Sequence, residues 1–160
     1  MHRIAITRFD NVTYKENRDW CKRYNFQGCI YGTPIKLSES ILPDTILFVL
    51  EMNNTTNKIM GIGMIKYGAN GCSVSSKKHK IYSDNNYNRF VYRSDYRIDF
   101  NENYCPLRFH KKIQKLEQCL FKGSRHCKRG QGIQLLPIWI RNIPKLNICD
   151  DIRRILNMGI

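Results

Sequence analysis

Long apolar runs are missing from this 160-residue chain. No window approaches the roughly 18 consecutive apolar residues of a membrane-spanning helix, which predicts a protein without a membrane partner. The first residues alternate like a strand and form no apolar secretory segment, so we expect an intracellular protein. The seven cysteines are scattered without a framework, which favours free thiols in a reducing compartment, the cytoplasm or the nucleus.

Motifs of the common catalytic sites are missing as well. The chain has no G-x-S-x-G, H-E-x-x-H or G-x-x-x-x-G-K-[ST] sequence. Zinc ligands usually come in closely spaced pairs, and the candidates form no such pair. These candidates are His110, Cys119, His126 and Cys127, with Cys105 nearby. We therefore expect a non-enzymatic protein that uses neither a metal nor a cofactor.

Acidic residues are few compared with basic ones. Lysine and arginine number 27 against 13 aspartates and glutamates, which gives a net charge of +14 and a pI near 9.7. Such an excess favours a polyanionic partner, and nucleic acid, either RNA or DNA, is our leading hypothesis. Two alternatives stay open. One is a basic structural or packaging nucleoprotein that binds DNA without sequence preference; the other is a small nuclease with a divalent ion at Asp95 and Asp99, or at Asp150 and Asp151.

The most informative stretch is a pair of predicted strands at 42–52 and 58–65, joined by a polar turn. The second strand carries Gly61 and Gly63. A glycine inside a strand usually marks a bulge or the close approach of another backbone or a ligand. Further strands are expected at 4–7, 28–34, 80–82, 89–93, 96–100 and 135–140.

Helices are predicted near 12–24, 106–122 and 149–157. The first would open with a capping box formed by Thr13 and Glu16, in which each side chain satisfies a free backbone amide of the other residue. Its buried face would consist of Trp20, Cys21 and Tyr24.

The second helix has the clearest apolar stripe and ends at Gly123. The stripe consists of Phe109, Ile113, Leu116 and Leu120. Basic residues beside it are candidate nucleic-acid contacts: Arg108, Lys111, Lys112 and Lys115.

A basic, glycine-rich loop follows this helix. Its polar side chains are the main candidate nucleic-acid contacts: Arg125, Lys128, Arg129 and Gln131. Gly130 and Gly132 would let a phosphate approach the backbone amides. We expect residues 124–132 to fold across the space left by Gly61 and Gly63, as the rim of a positive cleft with tyrosines beneath.

Four short motifs resemble the PUA-like superfamily, and within it the EVE and YTH domains more than the ASCH domains. They are Ile4-Ala-Ile-Thr7 with the Trp20 helix, Pro43-Asp-Thr-Ile-Leu-Phe48, Lys58-Ile-Met-Gly-Ile-Gly63 and Lys128-Arg-Gly-Gln-Gly-Ile-Gln-Leu-Leu-Pro137. The second motif lacks the family's glycine before Asp44. The resemblance implies one α+β domain over residues 1–160. Its curved mixed sheet would form a partial barrel flanked by about three helices.

The resemblance also implies a pocket that receives a flipped or modified base. The three cage tryptophans of YTH domains have no one-to-one match, because the chain has two tryptophans and Trp20 is expected in the core. The pocket candidates are Tyr31, Gly61, Gly63, Tyr67, Tyr92, Tyr96 and Trp139. The abundance of isoleucine, asparagine, lysine and tyrosine suggests an AT-rich genome such as that of a large DNA virus. A virus factory or a virion is then a further expected location.

Overall fold

The computed structural model describes residues 1–68, 73–74, 79–100 and 106–157. In chain order its helices and strands are β1 (His2–Phe9), α1 (Asn11–Arg23), β2 (Cys29–Thr33), β3 (Ile46–Asn53), β4 (Lys58–Lys66), β5 (Ser73–Val74), β6 (Phe90–Ser94), β7 (Arg97–Asp99), α2 (Leu107–Phe121), β8 (Gln134–Leu135), α3 (Ile138–Arg141) and α4 (Cys149–Ile155). A 3-10 turn covers Asn85–Asn88. The predicted mixed α+β class is confirmed, with four α-helices where about three were predicted.

The strands form two sheets. The larger has the order β7-β4-β3-β1-β8, in which β1 and β3 are parallel and the other neighbours are antiparallel. The smaller has the order β2-β6-β5 and is antiparallel throughout. The larger sheet is mixed, as predicted. No backbone ladder joins the two sheets among the described strands, so they do not close into a barrel.

The central strand β3 is buried on both faces. Phe48 and Leu50 face an apolar layer that includes α2 and α4, whereas Leu47 and Val49 face a second layer with α1 and the smaller sheet. A strand covered on both sides needs apolar residues at consecutive positions, which explains the uninterrupted Ile-Leu-Phe-Val-Leu run. One sheet therefore supports an apolar layer on each side.

Helix α1 begins earlier than the Thr13–Glu16 pattern predicted. Asp10 is the N-cap, and its carboxylate accepts a hydrogen bond from the Thr13 amide at 2.8 Å. The Thr13 hydroxyl accepts from the Asp10 amide at 3.0 Å, which completes a capping box three residues upstream of the predicted one. Trp20 is buried as predicted, but Tyr24 lies at the helix end and is 60% exposed.

Two predicted strands were wrong. Residues 80–82 join no strand ladder, because the amides of Ile81 and Tyr82 donate to the side-chain oxygen of Asn88 at 3.0 and 2.9 Å. The segment 135–140 continues as a strand only to Leu135, and the short helix α3 starts directly after Pro137. The fixed φ of proline suits the start of a helix, and proline cannot donate to a strand ladder.

Helix α2 agrees with the prediction. Its four-residue apolar stripe is buried against the larger sheet, and Gly123 follows the helix with a φ of +84°. Cys105, considered with the zinc candidates, lies outside the described residues.

Candidate nucleic-acid interface

The ends of β1 and β2 border a cleft of about 200 Å³. Its lining comes from the β1–α1 junction, the end of β2, the β3–β4 turn, the segment before β6 and the loop after α2. The lining residues are Thr7, Arg8, Phe9, Asp10, Thr13, Gly32, Thr33, Pro34, Asn54, Tyr82, Tyr87, Lys128, Gly130, Gln131 and Gly132. Pockets for drug-sized ligands start at about 300 Å³, so this cleft suits a smaller group such as one base.

Arg8 supplies the cleft with an unneutralised positive charge. Its Nε donates to the Cys127 carbonyl at 2.5 Å, and its Nη2 donates to the Gln134 side-chain oxygen at 2.8 Å. Its Nη1 is buried and has no hydrogen-bond partner among the described residues, and no described carboxylate forms an ion pair with it. Burial lowers the pKa of the guanidinium, yet arginine stays protonated in proteins. Arg8 therefore places a positive charge and an unused buried donor beside the cleft.

Asn54 contributes an unused acceptor to the same cleft. Its Nδ2 donates to the Lys128 carbonyl at 2.9 Å, while its Oδ1 is buried without a partner among the described residues. Asp10 adds a carboxylate that the start of α1 holds in place through Thr13. A ligand with an acceptor for Arg8 and donors for Asn54 and Asp10 would complement these side chains. Nucleobases carry both kinds of group on one edge.

Aromatic rings form one side of the cleft. Tyr82 is buried and packs edge-to-face on Tyr87, with ring centroids 6.3 Å apart. The Tyr82 hydroxyl accepts a hydrogen bond from Asn17 at 3.0 Å, so its ring is held in place. Burial raises the pKa of this hydroxyl, which keeps it neutral. Tyr87 is only partly buried, so it is the more exposed of the two tyrosines.

The loop after α2 closes the cleft on the side of β1. Cys127 anchors it, because the side chain is buried in the α2 layer and the amide donates to the Leu120 carbonyl at 2.6 Å. Gly130 and Gly132 have φ values of +106° and +74°, which residues with a side chain rarely adopt. These glycines let the loop turn beside Arg8, and both glycines line the cleft.

The four loop candidates from the sequence have different positions. Lys128 and Gln131 line the cleft, whereas Arg125 and Arg129 do not. Arg125 lies over the Trp139 ring, with its guanidinium carbon 4.4 Å from the ring centroid. Arg129 is exposed.

The loop does not cover Gly61 and Gly63, contrary to the predicted arrangement. A Cβ on Gly63 would overlap the Tyr31 hydroxyl and lie 2.7 Å from Cys29 Sγ. A Cβ on Gly61 would lie 2.7 Å from Arg97 Nη2. The close approach that these glycines signal is therefore made by side chains of the protein's own core.

These core side chains form a buried polar network. Arg97 donates to the two carboxylate oxygens of Glu51 at 2.9 and 2.7 Å, and to Asp99 at 2.6 Å. Tyr31 donates to Glu51 at 2.7 Å. Burial together with the Glu51 charge raises the pKa of Tyr31 well above its ordinary value. Burial alone would lower the pKa of Arg97, but Glu51 and the hydrogen bonds raise it. The network joins β2, β3 and β7.

The other aromatic candidates are not brought together. Tyr92 is buried between the sheets, where its hydroxyl accepts from the Leu37 amide at 3.0 Å. Tyr67 lies half-buried at the end of β4, and Tyr96 is about half exposed before β7. Trp139 lies on α3 in the opposite apolar layer, not in a strand as predicted.

The basic residues of α2 also differ in their surroundings. Lys112 forms an ion pair with Asp151 at 2.6 Å and donates to the Asn147 carbonyl at 3.2 Å, so it holds α4 against α2. Arg108 is exposed. Lys111 and Lys115 border a separate groove.

Metal-ligating side chains do not cluster in the described part of the chain. No three histidine, cysteine, aspartate or glutamate residues come together there. Three of the four carboxylates considered for a nuclease have cationic partners: Asp99 contacts Arg97, Asp151 contacts Lys112 and Asp150 lies 3.8 Å from Arg153.

Comparisons with protein-family models, curated proteins and solved structures gave no significant match to this chain. The function is therefore inferred from the residues of the cleft. Sequence reasoning missed Arg8, Asn54, Tyr82 and Tyr87. One signal for Arg8 was present, because this long cationic side chain stands between the buried residues Thr7 and Phe9 at the end of β1.

Proposed function

We propose that the protein is a non-enzymatic nucleic-acid-binding module and that the cleft receives one base of a single strand. One observation carries this proposal: Arg8 lines the cleft, its buried Nη1 has no hydrogen-bond partner among the described residues, and no described carboxylate pairs with its charge. A half-buried cation with an unused donor is costly unless a ligand supplies the missing acceptor. A base carbonyl, a ring nitrogen or the adjoining phosphate can supply it.

The cleft favours a base over an isolated phosphate for two reasons. Asp10 and the Asn54 oxygen are acceptors, and they would repel a bare phosphate while accepting from an amino group. The partly buried Tyr87 ring offers a stacking surface, which is worth about 1–3 kcal/mol per base in single-strand binders. A base in this cleft must be unpaired, so a single strand is the expected form.

A PUA-like architecture remains our proposal for the fold. It is supported by the sequence motifs and by the mixed sheet with helices on its flanks. The net charge of +14 supports an anionic polymer as the partner.

Competition binding tests the proposal. A fluorescent single-stranded oligonucleotide is titrated with the protein, and unlabelled single strands, duplexes and abasic strands compete with it. We expect single strands with bases to compete best and abasic strands to compete poorly. Equal competition by any duplex would instead indicate a packaging protein without a base pocket. Cleavage of either substrate with magnesium or manganese would indicate a nuclease.

A further inference from the structure

A second basic surface lies between α2 and the β3–β4 turn. It is a groove of about 620 Å³ lined by Thr56, Asn57, Lys58, Lys111, Gln114, Lys115, Glu117, Gln118, Phe121 and Lys122. Four of these residues are lysines, and none of the four forms an ion pair with a described carboxylate. We call this surface the lysine groove.

The walls of the lysine groove are fixed by the fold. The residues that α2 contributes recur at intervals of three and four, so they lie on one face of the helix. Glu117 is the groove's only acidic lining residue, and its carboxylate accepts from the Ile59 amide at 2.8 Å. This bond ties α2 to the start of β4. The groove is therefore a preformed channel with a net positive charge.

The lysine groove adjoins the cleft through two short connections. Asn54 lines the cleft and Asn57 lines the groove, and three residues of chain span at most about 11 Å. At the other side, the amide of Cys127 bonds to the Leu120 carbonyl, which joins the cleft loop to the last turn of α2. The cleft and the lysine groove therefore have lining residues within about 11 Å of each other across the β3–β4 turn.

We infer that the lysine groove carries the phosphate backbone of the strand whose base occupies the cleft, an assignment that rests on the proposed function. Lysine ammonium groups are compact charges that bind phosphates without reading sequence. The cleft provides hydrogen-bond partners for one base, whereas the polar lining of the groove consists mainly of lysines and side-chain amides. The two surfaces thus divide base contact from backbone contact along one continuous path.

The test compares strands of two lengths with charge-matched variants. The groove variant is Lys111→Gln with Lys115→Gln, and the control is Lys22→Gln with Arg23→Gln, two exposed cations at the end of α1. The probes are a dinucleotide, which only fills the cleft, and a strand of about 12 nucleotides, within the usual range for single-strand binders. The dissociation constant of each is measured over a series of salt concentrations.

For the longer strand we expect the groove variant to lower the slope of log affinity against log salt by about 1.4, since each lost phosphate contact on a single strand contributes about 0.7. The dinucleotide should bind the groove variant and the wild type equally. The control variant should leave the slope for the longer strand nearly unchanged.

Three results would overturn the inference. The first is a groove variant whose slope matches that of the control variant; normal dinucleotide binding would then leave the proposed function intact. The second is poly-glutamate of equal charge displacing the longer strand as well as unlabelled strand does, which would indicate a site for acidic proteins. The third is a wild-type protein that binds neither probe, in which case the proposed function fails together with the groove.

Discussion

The hydroxyl of Tyr31 occupies the space that the missing side chain of Gly63 leaves on β4. A Cβ at position 63 would overlap this oxygen and lie 2.7 Å from the side chain of Cys29. The same hydroxyl donates to Glu51 at 2.7 Å, so moving it would also disturb the buried network of Glu51 and Arg97. The glycine thus allows the smaller sheet to pack closely on the larger one.

The variant Gly63→Ala should therefore destabilise the fold. We expect a loss of about 1–3 kcal/mol in the free energy of unfolding, which is typical of overpacked cores. Urea denaturation measures it. Gly68→Ala is the control, because a Cβ there would meet no atom of the described residues within 4 Å apart from its chain neighbours. A similar small effect in both variants would show that Tyr31 can move aside freely.

Removing both members of the Glu51–Arg97 pair should cost less than the sum of the losses from removing each one alone. The two side chains are 2% and 3% exposed, so Glu51→Leu or Arg97→Met leaves a buried charge without its main partner. Each single variant is expected to lose about 3–5 kcal/mol of unfolding free energy. The double variant should lose clearly less than the sum. Additive losses in urea titrations would mean that the pair's charges are already well solvated.

The stability of the protein should fall as pH rises above 10. In the folded chain burial raises the pKa values of Tyr31 and Tyr82 above the ordinary value of 10.0. Above pH 10 the unfolded chain releases protons that the folded chain retains, so each group lowers stability by up to about 1.4 kcal/mol per pH unit. Below pH 10 this contribution is constant.

Tyr82→Phe provides the check on this pH dependence. It keeps the ring, and Asn17 retains its second bond, to the Ile30 carbonyl at 2.6 Å. Unfolding free energies of the variant should fall less steeply between pH 9 and 11 than those of the wild type. An identical slope in the two proteins would contradict a buried, neutral Tyr82.

Sequence patterns predicted best the elements whose buried apolar residues recur at a regular spacing. The stripe of Phe109, Ile113, Leu116 and Leu120 recurs with the helical period, and α2 agrees with it. The 135–140 segment is a short apolar run, and such a run suits a strand and a buried helix equally. Pro137 favours the helix, because it stands at the N-cap position of α3. Gly61 and Gly63 do mark close approaches, but at Gly63 the approach is made by the Tyr31 and Cys29 side chains and not by the predicted backbone or ligand. Their neighbours in space are distant in sequence, so the pattern could not identify the occupant.

The candidate site was less accessible to sequence reasoning. The glycine-rich loop was predicted as a rim, and Lys128 and Gln131 do line a cleft. The unused donor of Arg8 and the unused acceptor of Asn54, however, depend on which hydrogen bonds form in the folded chain. Such atoms become visible only when strands, turn and loop are assembled.

The most direct test of base binding in the cleft is the affinity of Arg8→Met for a single-stranded oligonucleotide. The matched control is Arg23→Met, which makes the same change at the other end of α1, about 20 Å away along a 13-residue helix. Circular dichroism and urea denaturation establish that both variants are folded. Arg8→Lys is included because it keeps the charge but not the forked donor geometry.

We predict that Arg8→Met weakens binding at least about tenfold, the loss of one charged hydrogen bond of about 1.5–3 kcal/mol, and that Arg23→Met binds nearly as the wild type does. Arg8→Lys should lie between them. A folded Arg8→Met protein that binds single strands as tightly as Arg23→Met would contradict the account.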